Sequence, residues 1–92
     1  MIEFFTAPAP NGWKVAIMLE ECGLAYEPRW VNLAAGDQHS QEYLAINPNG
    51  RIPAITDHAP ADGGEPVTVF ESGAVLLYLC LLYTSDAADE VL

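Results

Sequence analysis

Basic residues are what this sequence has least of. Three lysines and arginines stand against thirteen aspartates and glutamates, a net charge of −10 at pH 7. A chain this acidic is repelled by phosphate backbones and anionic headgroups, which argues against nucleic acid or membrane as partner and leaves solubility as the plain meaning of the charge. Cysteine is scarce too. Cys22 and Cys80 form no Cys-x-x-Cys pair, so neither a disulfide scaffold nor a protein dithiol is in prospect. No charged-then-apolar leader opens the chain, and the longest charge-free stretch, residues 72–85, is too short to span a bilayer. These absences point to a soluble domain of the reducing cytoplasm. Ninety-two residues allow one domain with a modest core.

Pattern, rather than composition, carries the fold. Ile2-Glu3-Phe4-Phe5 reads as a short strand, halted by Ala7-Pro8-Ala9-Pro10, where no helix can begin before the second proline and the first helix is expected to start after it. From Gly12 to Cys22, the apolar positions Val15, Met18, Leu19 and Cys22 keep the i, i+3, i+4, i+7 spacing of one buried helical face, and Gly23 sits where a left-handed cap would end it. Residues 26–33 read as a strand, confined to a sheet edge by Pro28. A loop over 34–38 follows, then a short helix capped by Ser40 and ended by Asn47-Pro48. Residues 54–57 and 67–70 are expected to be antiparallel strands. They are joined by residues 58–66, with turn chemistry at Asp62-Gly63-Gly64-Glu65. The last helix opens at Ser72, with Val75, Tyr78 and Leu79 beginning its apolar face.

Two stretches look chemical. In Asn47-Pro48-Asn49-Gly50-Arg51-Ile52-Pro53-Ala54-Ile55, a proline directly before a strand gives up its ladder N–H and biases Ile52 towards an extended backbone that can pair with a peptide-like ligand. Phe70-Glu71-Ser72-Gly73 ends a strand and opens a helix, where Ser and Glu can hold a carboxylate and an ammonium side by side. Together they describe a site for an amino-acid-like group.

These residues carry a resemblance. Residues 47–53, followed by Phe70-Glu71-Ser72-Gly73-Ala74-Val75-Leu76-Leu77-Tyr78-Leu79, resemble the amino-terminal, thioredoxin-like domain of a glutathione transferase. Pro8-Ala9-Pro10-Asn11-Gly12-Trp13-Lys14 narrows this to the bacterial nu-class-like group, which includes glutathione-dependent disulfide-bond oxidoreductases, and to its fungal relatives. The resemblance spans residues 1–79. It implies an α/β fold of order βαβαββα with a mixed four-stranded sheet, the second strand outermost. It also implies glutathione as cofactor, a disulfide, peroxide or electrophile as second substrate, and a homodimer for the full-length protein. The alternative is a non-catalytic glutathione-binding regulatory protein, as in the fungal relative.

By the same resemblance, Asn11 lies beside the glutathione sulfur and is the catalytic candidate, although the residue alone reads as an ordinary helix cap. Ile52, before what resembles the family's cis proline, Pro53, is expected to pair its backbone with the cysteinyl unit. Glu71 is expected to meet the γ-glutamyl ammonium, Ser72 the γ-glutamyl carboxylate, and Gln38 the glycyl end, with Arg51 nearby. One departure stands out: Ala9 occupies a position where the group often has threonine, and Thr6 is the nearest other hydroxyl. His39 and His58 lack metal-ligand spacing and read as surface histidines, and Cys22 reads as inert core.

After Leu79 the likeness changes. Cys80-Leu81-Leu82-Tyr83-Thr84-Ser85-Asp86-Ala87-Ala88-Asp89-Glu90 resembles, residue for residue, the translation of a transposon-end sequencing adapter. Residues 80–92 are therefore expected to be read-through of library DNA that extends the last helix. The remaining fragment would hold one cysteine, would lose Asp86, Asp89 and Glu90 to carry a net charge of −7, and would lack the family's all-helical second domain. Such a fragment is expected to be inactive alone, with weak glutathione binding at best.

Overall fold

Ile2 and Phe4 face one side of the first strand and Phe5 the other, and this alternation decides where the helices sit. A computed structural model describes residues 1–60 and 63–91, the side chains of 83–91 excepted. Asp62 of the expected turn and the side chains of the tail beyond residue 82 lie outside the described residues. Strand β1 (Ile2–Thr6) is followed by helix α1 (Pro10–Glu21), β2 (Tyr26–Trp30), α2 (Gln41–Ile46), β3 (Ala54–Asp57), β4 (Val67–Phe70) and α3 (Ser72–Val91). The sheet order is β2-β1-β3-β4. β1 runs parallel to β2 and antiparallel to β3, and β3 and β4 are antiparallel. This is the mixed four-stranded α/β sheet expected. Pro28, opposite Phe4, lies on the outermost strand, where its missing N–H costs no ladder bond.

On one face Ile2, Phe4 and Ile55 pack against Val15 and Leu19 of α1 and Val75 and Leu79 of α3. On the other, Ala54 and Phe5 meet Tyr43 and Ile46 of α2 and Val31. Helix α1 ends as Gly23 predicts: that glycine has φ of 65°, its N–H donates to Glu20 O and the Leu24 N–H to Leu19 O. This is the paired closure of a Schellman cap, with Leu24 packed on the core. Cys22 is half-buried, its thiol 3.8 Å from Met18 Sδ. His39 and His58 are exposed, and His58 pairs with Glu3.

Three boundaries move. Helix α1 begins at Pro10 rather than after it, because the first helical position needs no N–H donor. β2 stops at Trp30, short of residue 33. There Asp37 accepts the Asn32 N–H and Asn32 accepts the Ala35 N–H, so side chains replace the strand ladder. The expected loop over 34–38 then contains a 3-10 turn, Asp37–His39, entered through Gly36 at φ 81°.

Candidate functional site

The loop from Asn47 to Pro53 is held by two side chains from α2 and its end. Asn47, 1% exposed, donates from Nδ2 to Arg51 O at 2.8 Å and accepts the Asn49 N–H on Oδ1 at 2.9 Å. The Tyr43 hydroxyl donates to the same Arg51 O at 2.6 Å. Burial pushes the Tyr43 phenol up to about 12, opposed in part by Asn47. Gly50, at φ 64°, brings the loop onto the 3-10 turn: a Cβ there would lie 3.0 Å from His39 Cδ2 and 3.1 Å from Gln38 O. The Ile52–Pro53 peptide bond is cis, as the resemblance implies.

Helix α1 enters from the other side. Ala9 is its cap residue and contributes no side-chain bond, so Asn11 sits inside the first turn and is not the N-cap that the bare residue suggests. Gly12 makes the approach possible: a Cβ would stand 2.3 Å from Thr6 Oγ1, 2.8 Å from Ala7 O and 3.6 Å from Ile52 Cδ1. Thr6 is buried and its hydroxyl donates to Ala7 O at 3.4 Å, so it does not replace the hydroxyl missing at Ala9. Lys14 reaches back one turn, placing Nζ 3.5 Å from Asn11 Oδ1, which leaves Nδ2 of that amide to donate outward.

Asn11, Gln38, Arg51 and Ile52 line one open cavity of about 330 Å³, together with Ala9, Pro10, Leu33 and Gly50. Its chemistry is mixed. The Gln38 Oε1 atom is buried with no hydrogen-bond partner among the described residues, an arrangement that calls for a donor. The charge is just as uneven. Arg29 is tied to Glu3 and Glu27, whereas among the described residues Lys14 and Arg51 form no carboxylate pair. Of these two, Arg51 lines the cavity, and Lys14 touches it only through Asn11, near the positive end of α1.

Pro53, Glu71 and Ser72 do not line it. Pro53 is buried behind Ile52. Glu71 is joined to the loop through Asn49, whose Nδ2 donates to Glu71 Oε1 at 3.2 Å. Its backbone is left-handed at φ 73°, and its carbonyl accepts the Val75 N–H at 2.9 Å, so Ser72 begins α3 with the amides of the first turn presented. The sequence motifs contain Asn47, Gly50, Gly12 and Lys14 without giving any of them a role in the site, and Tyr43 lies outside those motifs. The Asn-Pro-Asn-Gly run is a signal for the loop's internal bonds, and the Asn11/Lys14 spacing is a helical i, i+3 pair. Nothing local marks Tyr43 or Gly12. Among the described residues no group of acidic, His and Cys side chains could hold a metal ion, and no helix is long and apolar enough to cross a membrane.

Comparison with known proteins places this geometry. The sequence model of the glutathione S-transferase N-terminal domain matches residues 9–82. The disulfide-bond oxidoreductase YfcG of Escherichia coli is 56% identical over 79 residues, covering 86% of this chain and 37% of that protein. The transcriptional regulator URE2 of Saccharomyces cerevisiae is 38% identical, covering 89% of this chain and 25% of that protein. A crystal structure of a glutathione transferase family member from Pseudomonas fluorescens, with two glutathione bound, superposes at a TM-score of 0.86 and 44% identity over 90% of this chain and 36% of that one. The chain thus spans about a third or less of the length of each. With its thioredoxin-like sheet and its match over most of its length, it belongs to the glutathione S-transferase family, as an N-terminal domain.

Proposed function

We propose that the cavity between α1, the 3-10 turn and the loop before β3 binds glutathione, and that the longer, homodimeric protein uses it in the cytoplasm to reduce disulfides or peroxides. The carrying observation is the meeting of Asn11, Gln38, Arg51 and Ile52 around one cavity, with Arg51 as its cation and Lys14 bonded to its Asn11. Glutathione is a peptide-like anion and supplies the thiol that the chain lacks here. The Asn11 amide donates to that sulfur, while the start of α1 and Lys14 add the positive potential that favours a thiolate. Ile52, outside the sheet, offers its backbone to the cysteinyl unit, with Pro53 behind it. Gln38 Oε1 suits an N–H towards the glycyl end, and Arg51 a carboxylate there. Glu71 keeps Oε2 for the γ-glutamyl ammonium while Asn49 holds Oε1, and Ser72 with the first amides of α3 suits the γ-glutamyl carboxylate. Conjugation to electrophiles is a second use of the same thiol.

A reading as a binding protein without turnover has one observation in its favour. With Ala9 in place of a hydroxyl and Thr6 turned to Ala7 O, Asn11 is the one side-chain amide or hydroxyl of residues 6–11 offered to the cavity. Glutathione titration followed by amide NMR tests the shared premise: the Asn11, Gln38, Arg51, Ile52, Glu71 and Ser72 signals should move, and silence at these positions overturns it. In protein that includes the downstream residues, turnover of a model disulfide separates the two readings. There Asn11→Ala should lower turnover by about a hundredfold and weaken binding far less. Equal losses would leave Asn11 as a binding residue only.

A further inference from the structure

A separate pocket of about 150 Å³ lies between α1 and the edge strand β2, and it shares no lining residue with the cavity at Asn11. The strand's period of two brings Tyr26, Pro28 and Trp30 to one face of β2, and a spacing of three puts Trp13 and Ala16 on one side of α1. The small side chain of Ala16 leaves room between the elements, and buried Phe4 closes the space from β1. Phe4 meets Tyr26 edge to face, with ring centroids 6.0 Å apart. Four aromatic rings therefore border a space that suits a benzene-sized guest. Trp13 is 52% exposed and Trp30 65%, so the two indoles stand at an open entrance.

The electrostatics of this pocket favour a cation. No lining residue is charged, and the nearby basic side chains are turned away: Arg29 is held by Glu3 and Glu27 on the other face of β2, and Lys14 reaches back to Asn11. Ring faces carry the negative end of the aromatic quadrupole, here in a chain of net charge −10. Tyr26 adds to this, because its hydroxyl donates to Glu20 Oε1 at 2.7 Å and a carboxylate acceptor enriches the phenol ring in electrons. The other lining hydroxyl, Thr6, is committed to Ala7 O. A cation bearing N–H groups would leave donors unmet against such walls, whereas one bearing methyl groups has none to satisfy. We infer that this pocket binds a trimethylammonium head group, carried by a small quaternary amine or by a trimethylated lysine. Trp13 and Trp30 receive the head from α1 and β2, with Tyr26 and Phe4 behind it. The site stands apart from the glutathione reading and does not depend on it.

The test titrates this chain by NMR with choline and with dimethylbutanol, the neutral isostere in which carbon replaces the charged nitrogen. Trp13 and Trp30 are the chain's two tryptophans, so both indole N–H signals report on the entrance. Choline should move both and bind about tenfold more tightly than the alcohol, the gain expected of a cation against several ring faces. Trp13→Ala and Trp30→Ala should each weaken choline about three- to tenfold and bring the two compounds closer together, while Trp30→Phe should retain part of the preference. Contacts between the N-methyl protons and the rings of Trp13, Tyr26 and Trp30 in the unaltered chain give a readout that no variant's folding can disturb. A second arm compares a short peptide carrying trimethyllysine with the same peptide carrying lysine. Preference for the methylated form, at an affinity above that of choline, assigns the head group to a modified protein, and the reverse order assigns it to a free amine. Equal binding of choline and its neutral isostere, N-methyl contacts outside the pocket, or unmoved indole signals with both cations overturn the inference.

Discussion

Replacing Asn47 with alanine should do more damage than its place at the end of a six-residue helix suggests. The side chain is 1% exposed, and both of its amide atoms are engaged, Nδ2 with Arg51 O and Oδ1 with the Asn49 N–H. Two net hydrogen bonds at about 1 kcal/mol each, plus roughly 1 kcal/mol for an amide left without its acceptor, give a loss of about 2–4 kcal/mol. That is a large share of the ~5–14 kcal/mol typical of a domain this size. In urea the midpoint should fall by roughly 2 M with the slope unchanged. Because Tyr43 donates to the same carbonyl, Tyr43→Phe and Asn47→Ala should not add. The second removal strips Arg51 O of its last side-chain donor, so a double-mutant cycle should show a coupling of about 1 kcal/mol. Hydrogen exchange should also quicken first at residues 49–52. A loss below about 0.5 kcal/mol, or strict additivity, would refute the idea that Asn47 and Tyr43 jointly hold the loop.

Four further outcomes follow from the same geometry. Gly12→Ala should cost about 1–3 kcal/mol, since its Cβ would sit 2.3 Å from Thr6 Oγ1 and 2.8 Å from Ala7 O; adding Thr6→Ala should restore only part of this in thermal melts, because the carbonyl stays. The Tyr43 phenol, raised from 10.0 to about 12, contributes stability that is whole below pH 10 and lost as pH climbs towards 12, up to about 2 kcal/mol; Tyr43→Phe should flatten that alkaline limb. Glu3 is held below the usual 4.5 first by its hydrogen bond from Arg29 and then by His58, so its contribution is present above pH 4.5 and fades as pH falls further; carboxyl NMR titration should show Arg29→Met moving its midpoint up, with under ~1 kcal/mol at stake. Arg51→Gln and Lys14→Gln should each weaken glutathione binding about three- to tenfold and reduce its salt dependence, measured by calorimetry at two ionic strengths.

Where neighbours in sequence decide, the chain could be read directly. β3, β4, the start of α3, the Gly23 closure and the edge position of β2 follow from alternation, caps and proline. The end of β2 did not, because Asn32 and Asp37 bond back to the backbone and outcompete a strand whose pattern runs on to Leu33. The site shows the same division. The motifs mark Asn11, Gln38, Arg51 and Ile52, which meet around one cavity. The reason Gly12 must lack a side chain lies in Thr6 and Ala7, and the reason Tyr43 matters lies in a carbonyl eight residues away. Periodicity shows that Tyr43 can be buried; it says nothing of what its hydroxyl reaches.

Glu71 holds a left-handed backbone, a conformation that disfavours a side chain with a Cβ by roughly 1 kcal/mol and welcomes glycine. Selection for heat resistance alone should therefore enrich Glu71→Gly. If Glu71 meets the γ-glutamyl ammonium as proposed, such a winner would melt later yet grip glutathione less firmly, so ranking variants by melting temperature would promote the weaker binder.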